Sequence, residues 1–133
     1  MSVAEIALNL VDSSGWIEYF ADGPNAGIYA ERLSDTGRLV VPTVCMFEVF
    51  RVVLRRRGEG DALRAAALMS RGREVPLTAS LALEAARLAQ DRGLAMADGI
   101  ILATAELTGA TLWTQDVDFE GIPRVRYVPK VQA

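Results

Sequence analysis

Met96-Ala97-Asp98-Gly99-Ile100-Ile101-Leu102-Ala103-Thr104-Ala105 runs through Glu106-Leu107-Thr108-Gly109-Ala110 into Thr111-Leu112-Trp113-Thr114-Gln115-Asp116. From Ala97 to Leu107 this stretch is apolar nearly all round, broken only by Asp98, Thr104 and Glu106, which marks a helix buried on every side. Gly109 closes it, and residues 111–114 read as a short strand. A buried helix feeding straight into a short apolar strand belongs to a mostly parallel sheet with helices on both faces. An acid stands at each end of the unit, Asp98 and Asp116. A carboxylate beside apolar segments is costly unless a cation or hydrogen-bond donors compensate it.

Working outward, the same alternation recurs. Residues 6–11 read as a buried strand ending at Asp12, with Ser13 or Ser14 placed to cap a helix carrying Trp16, Ile17 and Phe20. Residues 26–33 form a second helix and 39–41 a strand stopped by Pro42. Thr43 is placed to cap the long helix that carries Glu48 and ends near Arg57. Residues 61–69 follow as a helix, 73–76 as a weak strand, 79–92 as a helix ending at Gly93, and 126–128 as a last strand. No repeat, low-complexity segment or linker interrupts the 133 residues, so one domain spanning 1–133 is expected.

Composition removes whole classes of chemistry. The chain has no histidine, which excludes Ser-His-Asp and Cys-His nucleophiles. Cys45 is its only cysteine, so there is no internal disulfide and no multi-cysteine zinc site; within an apolar helix it reads as a small core residue. Neither a P-loop nor a dinucleotide-type glycine motif is present. No apolar run reaches the length of a membrane span, and the N-terminus lacks the pattern of a secretion signal, so the expected location is the cytoplasm. The net charge of −3 argues against a nucleic-acid partner, whereas the 14 cations, all arginine except Lys130, argue for phosphate contact.

Four acids remain: Asp12, Glu48, Asp98 and Asp116. In a doubly wound sheet, ligands gather beyond the carboxyl ends of the strands, where Asp12 and Asp116 fall. Asp98 falls at a helix N-terminus, where the dipole favours negative charge. Without imidazole, such a set suits a hard divalent cation bound by oxygen. Each acid also has a plainer reading. Asp12 and Asp98 are placed to cap helices, Glu48 to point outward, and Asp116 with Asp118 to close a polar turn.

The whole ordered set resembles the PIN-domain ribonucleases, and among them the VapC-type toxins of bacterial or archaeal type II toxin–antitoxin pairs. The resemblance rests on Val-Asp-Ser-Ser at 11–14, Pro42-Thr43 followed by Phe-Glu-Val at 47–49, Ala-Asp-Gly-Ile-Ile-Leu-Ala-Thr-Ala at 97–105, and Thr-Gln-Asp-Val-Asp-Phe at 114–119. Gly121-Ile122-Pro123 before the final strand also fits.

That resemblance implies a three-layer fold with a five-stranded parallel sheet, and an acidic pocket holding magnesium or manganese. It carries catalytic roles onto Asp12, Glu48, Asp98 and Asp116, with Asp12, Asp98 and Asp116 as metal ligands. Ser13, Thr114 and Asp118 are implied as supporting residues. The expected reaction is endonucleolytic hydrolysis of RNA that leaves a 5′-phosphate and a 3′-hydroxyl. Arg51 and Arg55, four residues apart on one helical face, are the expected RNA contacts. A homodimer is implied, as is a VapB-like antitoxin laid over the first helices with anchors reaching Trp16, Phe20 or Met46. The alternative is a PIN-like module that binds RNA or protein without cutting.

Overall fold

The computed structural model describes residues 7–132; Ile6, which opens the first expected strand, lies outside them. Five strands form one sheet: β1 (Asn9–Val11), β2 (Leu39–Pro42), β3 (Arg73–Val75), β4 (Thr111–Thr114) and β5 (Val125–Tyr127). The helices are α1 (Ser13–Phe20), α2 (Ala26–Ser34), α3 (Thr43–Arg57), α4 (Glu59–Met69), α5 (Ala79–Arg92) and α6 (Met96–Thr108). All strand pairs are parallel, in the order β3-β2-β1-β4-β5.

The chain travels outward from β1 to β3, then crosses back to β4 on the other side of β1. Right-handed crossovers running in opposite directions lie on opposite faces of a sheet, so the reversal covers both faces with helices. The central strands are apolar without alternation because neither face meets water. Leu10, Val11, Leu39, Val40, Val41 and Leu112 are all essentially inaccessible. Each contributes about 1.5–3 kcal/mol of burial.

The α6 helix is buried continuously from Gly99 to Ala105, as its sequence requires. It lies tightly against α5. A Cβ on Gly99 would stand 2.9 Å from the carbonyl oxygen of Ala85 and 2.9 Å from Ala89 Cβ. At the other end Gly109 takes φ 73°, the left-handed cap that turns the chain into β4.

Four local expectations change. Asp12, not Ser13 or Ser14, caps α1, accepting from the Gly15 amide. Pro42 occupies the cap position of α3 without a side-chain bond, and Thr43 is already helical. α6 starts at Met96, so Asp98 lies inside its first turn and does not cap it; the dipole argument survives and the capping argument does not. Trp16, expected as a contact for an antitoxin, is 1% exposed and stacked on Phe20 with ring centroids 5.9 Å apart. It belongs to the core. Phe20 and Met46 remain partly accessible. Cys45 is fully buried, which pushes its thiol pKa up and fits its reading as a core residue.

Candidate metal centre

β1 and β4 lie side by side where the chain's direction across the sheet reverses, and Asp12 and Asp116 follow their carboxyl ends. The Asp12 amide continues the ladder, donating to the carbonyl of Trp113 at 3.0 Å. Its side chain is 3% exposed and fully engaged. Thr114 Oγ1 donates to Oδ2 at 2.7 Å, while Ser14 Oγ at 2.5 Å and the Gly15 amide at 3.3 Å donate to Oδ1.

The hydroxyls extend this order outward. Thr114 Oγ1 also accepts the amide of Asp116 at 2.9 Å, and Ser14 Oγ accepts the amide of Gln115 at 3.2 Å. Glu48, half-buried on α3, accepts at Oε1 from Ser13 Oγ at 2.6 Å. The side chain of Asp116 caps the 3₁₀ turn Val117–Phe119 by accepting the amide of Asp118 at 2.9 Å. Carboxylate oxygens of Asp98, Asp116 and Asp118 lie within 4.8 Å of one another.

All four acids expected to be catalytic are therefore near neighbours, with Ser13 and Thr114 beside them. The trio whose carboxylate oxygens lie within 4.8 Å of one another is Asp98, Asp116 and Asp118, while Asp12, expected with Asp98 and Asp116 as a ligand, accepts from two hydroxyls and one amide. Ser14, Gln115 and Asn25 also take part. Ser14 follows Asp12 closely in sequence, where its local chemistry suggests a helix cap. Nothing local marks Asn25, whose side chain donates to Gln115 Oε1 at 3.1 Å across 90 residues of sequence.

The electrostatics fit a cation. Burial, then the charges of Asp116, Asp12, Glu48 and Asp118, raises the Asp98 pKa to about 7. Burial raises Asp12 to about 6, against the lowering effect of its hydroxyl and amide donors. No arginine or lysine pairs with any of the five acids among the described residues, whose ion pairs are Arg32–Glu31, Arg38–Asp35 and Arg64–Asp61. Five clustered carboxyls without a basic partner among the described residues offer the kind of all-oxygen donor set that suits a hard divalent cation.

The sequence profile of the PIN domain family matches residues 10–125. No curated protein sequence matches the chain significantly. Among solved structures, a toxin–antitoxin complex from Klebsiella pneumoniae superposes with a TM-score of 0.78 at 25% identity, covering 92% of this chain and 99% of that one. The VapC20 toxin of Mycobacterium tuberculosis, described as cleaving the sarcin–ricin loop, gives 0.71 at 21% identity over 86% of this chain and 94% of that one. A DNA-bound VapBC from Salmonella typhimurium gives 0.72 at 17%, covering 92% and 98%. Fold, acid cluster and matched profile agree: the chain belongs to the PIN domain family.

Proposed function

We propose that this protein is a metal-dependent endoribonuclease acting as the toxin of a toxin–antitoxin pair. The observation that carries the reading is Asp98, a half-buried carboxyl beside four other acids, none of which forms an ion pair among the described residues. Asp98, Asp116 and Asp118 would hold magnesium or manganese, with Asp12 and Glu48 at its edge. Bound there, the ion supplies Lewis acidity and a water of lowered pKa. Asp12 is locked in orientation by three donors and keeps the β1 end of the pocket charged. Glu48 spends Oε1 on Ser13, which leaves Oε2 to accept a proton from a water. The products are a 5′-phosphate and a 3′-hydroxyl.

Arg51 and Arg55 are exposed and follow Glu48 at helical spacing, which supports their reading as RNA contacts. The antitoxin rests on the similarity to toxin–antitoxin structures; its anchors would be Phe20 and Met46, since Trp16 is buried. A homodimer, a single domain over the whole chain and a cytoplasmic location complete the proposal. Among the described residues no helix is long and apolar enough to cross a membrane.

The test is cleavage of RNA by purified protein in magnesium or manganese. Cleavage that stops with chelator and with Asp98→Asn is expected. Undiminished cutting under either condition would refute the mechanism.

A further inference from the structure

Lys130, the only lysine, lies in the tail after β5 and lines a cleft with Asp116. The Val128 amide donates to the Thr114 carbonyl at 2.7 Å. Asn25, 6% exposed, donates through Nδ2 to the Pro129 carbonyl at 3.0 Å and to Gln115 Oε1 at 3.1 Å. One buried amide thus clamps the tail to the residue that precedes Asp116.

Two clefts meet there, sharing Ser14, Gln115 and Lys130. One, of about 390 Å³, extends to Arg56 on α3; the other, of about 450 Å³, extends to Asp116. Lys130 and Arg56 are exposed and join no ion pair among the described residues. The acid on this wall, Glu18, accepts at Oε2 from the backbone N–H of Asn25 at 2.8 Å. The two clefts together run from Asp116 past the Ser14 hydroxyl and the Gln115 amide to Lys130 and Arg56, with Glu18 on the same wall.

We infer that the Lys130–Arg56 cleft carries the phosphates of single-stranded RNA flanking the bond to be cut, with Asn25 as the positioning residue that holds Lys130 there. The inference rests on the nuclease reading above and adds residues to it. Repulsion by five clustered acids must be offset close by, because charges more than about 10 Å apart are largely screened at ordinary salt. Arg56, within the basic run Arg55-Arg56-Arg57, and Lys130 line the cleft that adjoins the one reaching Asp116.

The probe is a fluorescein-labelled pool of single-stranded RNA of randomised sequence. Its binding is followed by anisotropy in the Asp98→Asn background with magnesium, across a potassium chloride titration. Lys130→Glu and Arg56→Glu are each expected to weaken binding by about tenfold, and Lys130→Ala to reduce the salt slope by about 0.7. Arg87→Glu on the exposed face of α5 makes the same charge change away from the cleft and should have little effect. Asn25→Ala should match Lys130→Ala, with no further loss when the two are combined. In otherwise wild-type protein, Lys130→Glu should raise KM for cleavage of the same pool with kcat held. If wild type cuts the pool while Lys130→Glu and Arg56→Glu bind no more weakly than Arg87→Glu, the inference is overturned and the nuclease stands. If wild type cuts nothing in magnesium or manganese, the nuclease reading falls and the inference with it.

Discussion

Thr114 and Asp12, 102 residues apart, share a hydrogen bond of 2.7 Å that joins the ends of two adjacent parallel strands. Because Thr114 Oγ1 also accepts the Asp116 amide, one hydroxyl sets the position of two acids. Thr114 is fully buried, so no water can replace it.

Thr114→Val keeps the shape of the side chain and removes both bonds. A buried acceptor and a donor then lose their partner, at a cost of about 1–3 kcal/mol. Urea denaturation should show a lower midpoint with an unchanged slope, and Thr114→Ser should restore most of the loss. A Thr114→Val variant as stable as wild type would mean the hydroxyl orders nothing.

Asp118 was expected as a supporting acid, but its carboxylate lies within 4.8 Å of those of Asp98 and Asp116. Asp118→Asn should therefore lower RNA cleavage to the same degree as Asp116→Asn, about 10²–10³-fold for loss of one electrostatic group. Asp12→Asn, Glu48→Gln and Asp98→Asn should fall in the same range with circular dichroism unchanged. Near-normal rates in Asp118→Asn would return that residue to the periphery.

The raised acids make stability depend on pH. Asp98 at about 7 and Asp12 at about 6 hold protons in the folded state that the unfolded chain, near 3.8, has released. Stability is thus fully present below about pH 4 for these groups and is lost as pH rises through about 6 to 7. Metal-free protein should melt at a lower temperature at pH 8 than at pH 5. Asp98→Asn should flatten that trend, and magnesium should reverse it by binding the deprotonated cluster. Calorimetric magnesium affinity that does not weaken below pH 7 would contradict this account.

Gly99→Ala sets two effects against each other. Alanine gains up to about 1 kcal/mol of helix propensity over glycine. Its Cβ would meet the Ala85 carbonyl and Ala89 at 2.9 Å, backbone and a short side chain that cannot swing away. Overpacking of this kind costs about 1–3 kcal/mol, so the clash should win and the melting temperature fall. Because Asp98 is the preceding residue, metal affinity should weaken as well.

The helices and strands follow local chemistry, and the sequence by itself determined most of them. α5 and β4 occur with the expected bounds because Thr78, Gly93 and Gly109 punctuate the chain where helices begin and end. The buried character of α6 and the positions of the four acids beside apolar segments were equally legible, since hydrophobic pattern and residue type are local properties. The tertiary structure alone decided which hydroxyl meets which carboxylate. Ser13 or Ser14 is expected as a cap, and Ser14 instead donates to Asp12; Trp16, an apolar residue of the first helix that the resemblance implies as an antitoxin anchor, is buried and stacked on Phe20. Asp118 draws level with Asp98 only because the 3₁₀ turn after β4 and the start of α6 converge at the carboxyl end of β4. Asn25 reaches Gln115 and Pro129 by the same convergence. Such contacts depend on distances between elements far apart in sequence, and those distances are set by packing, which no single segment encodes.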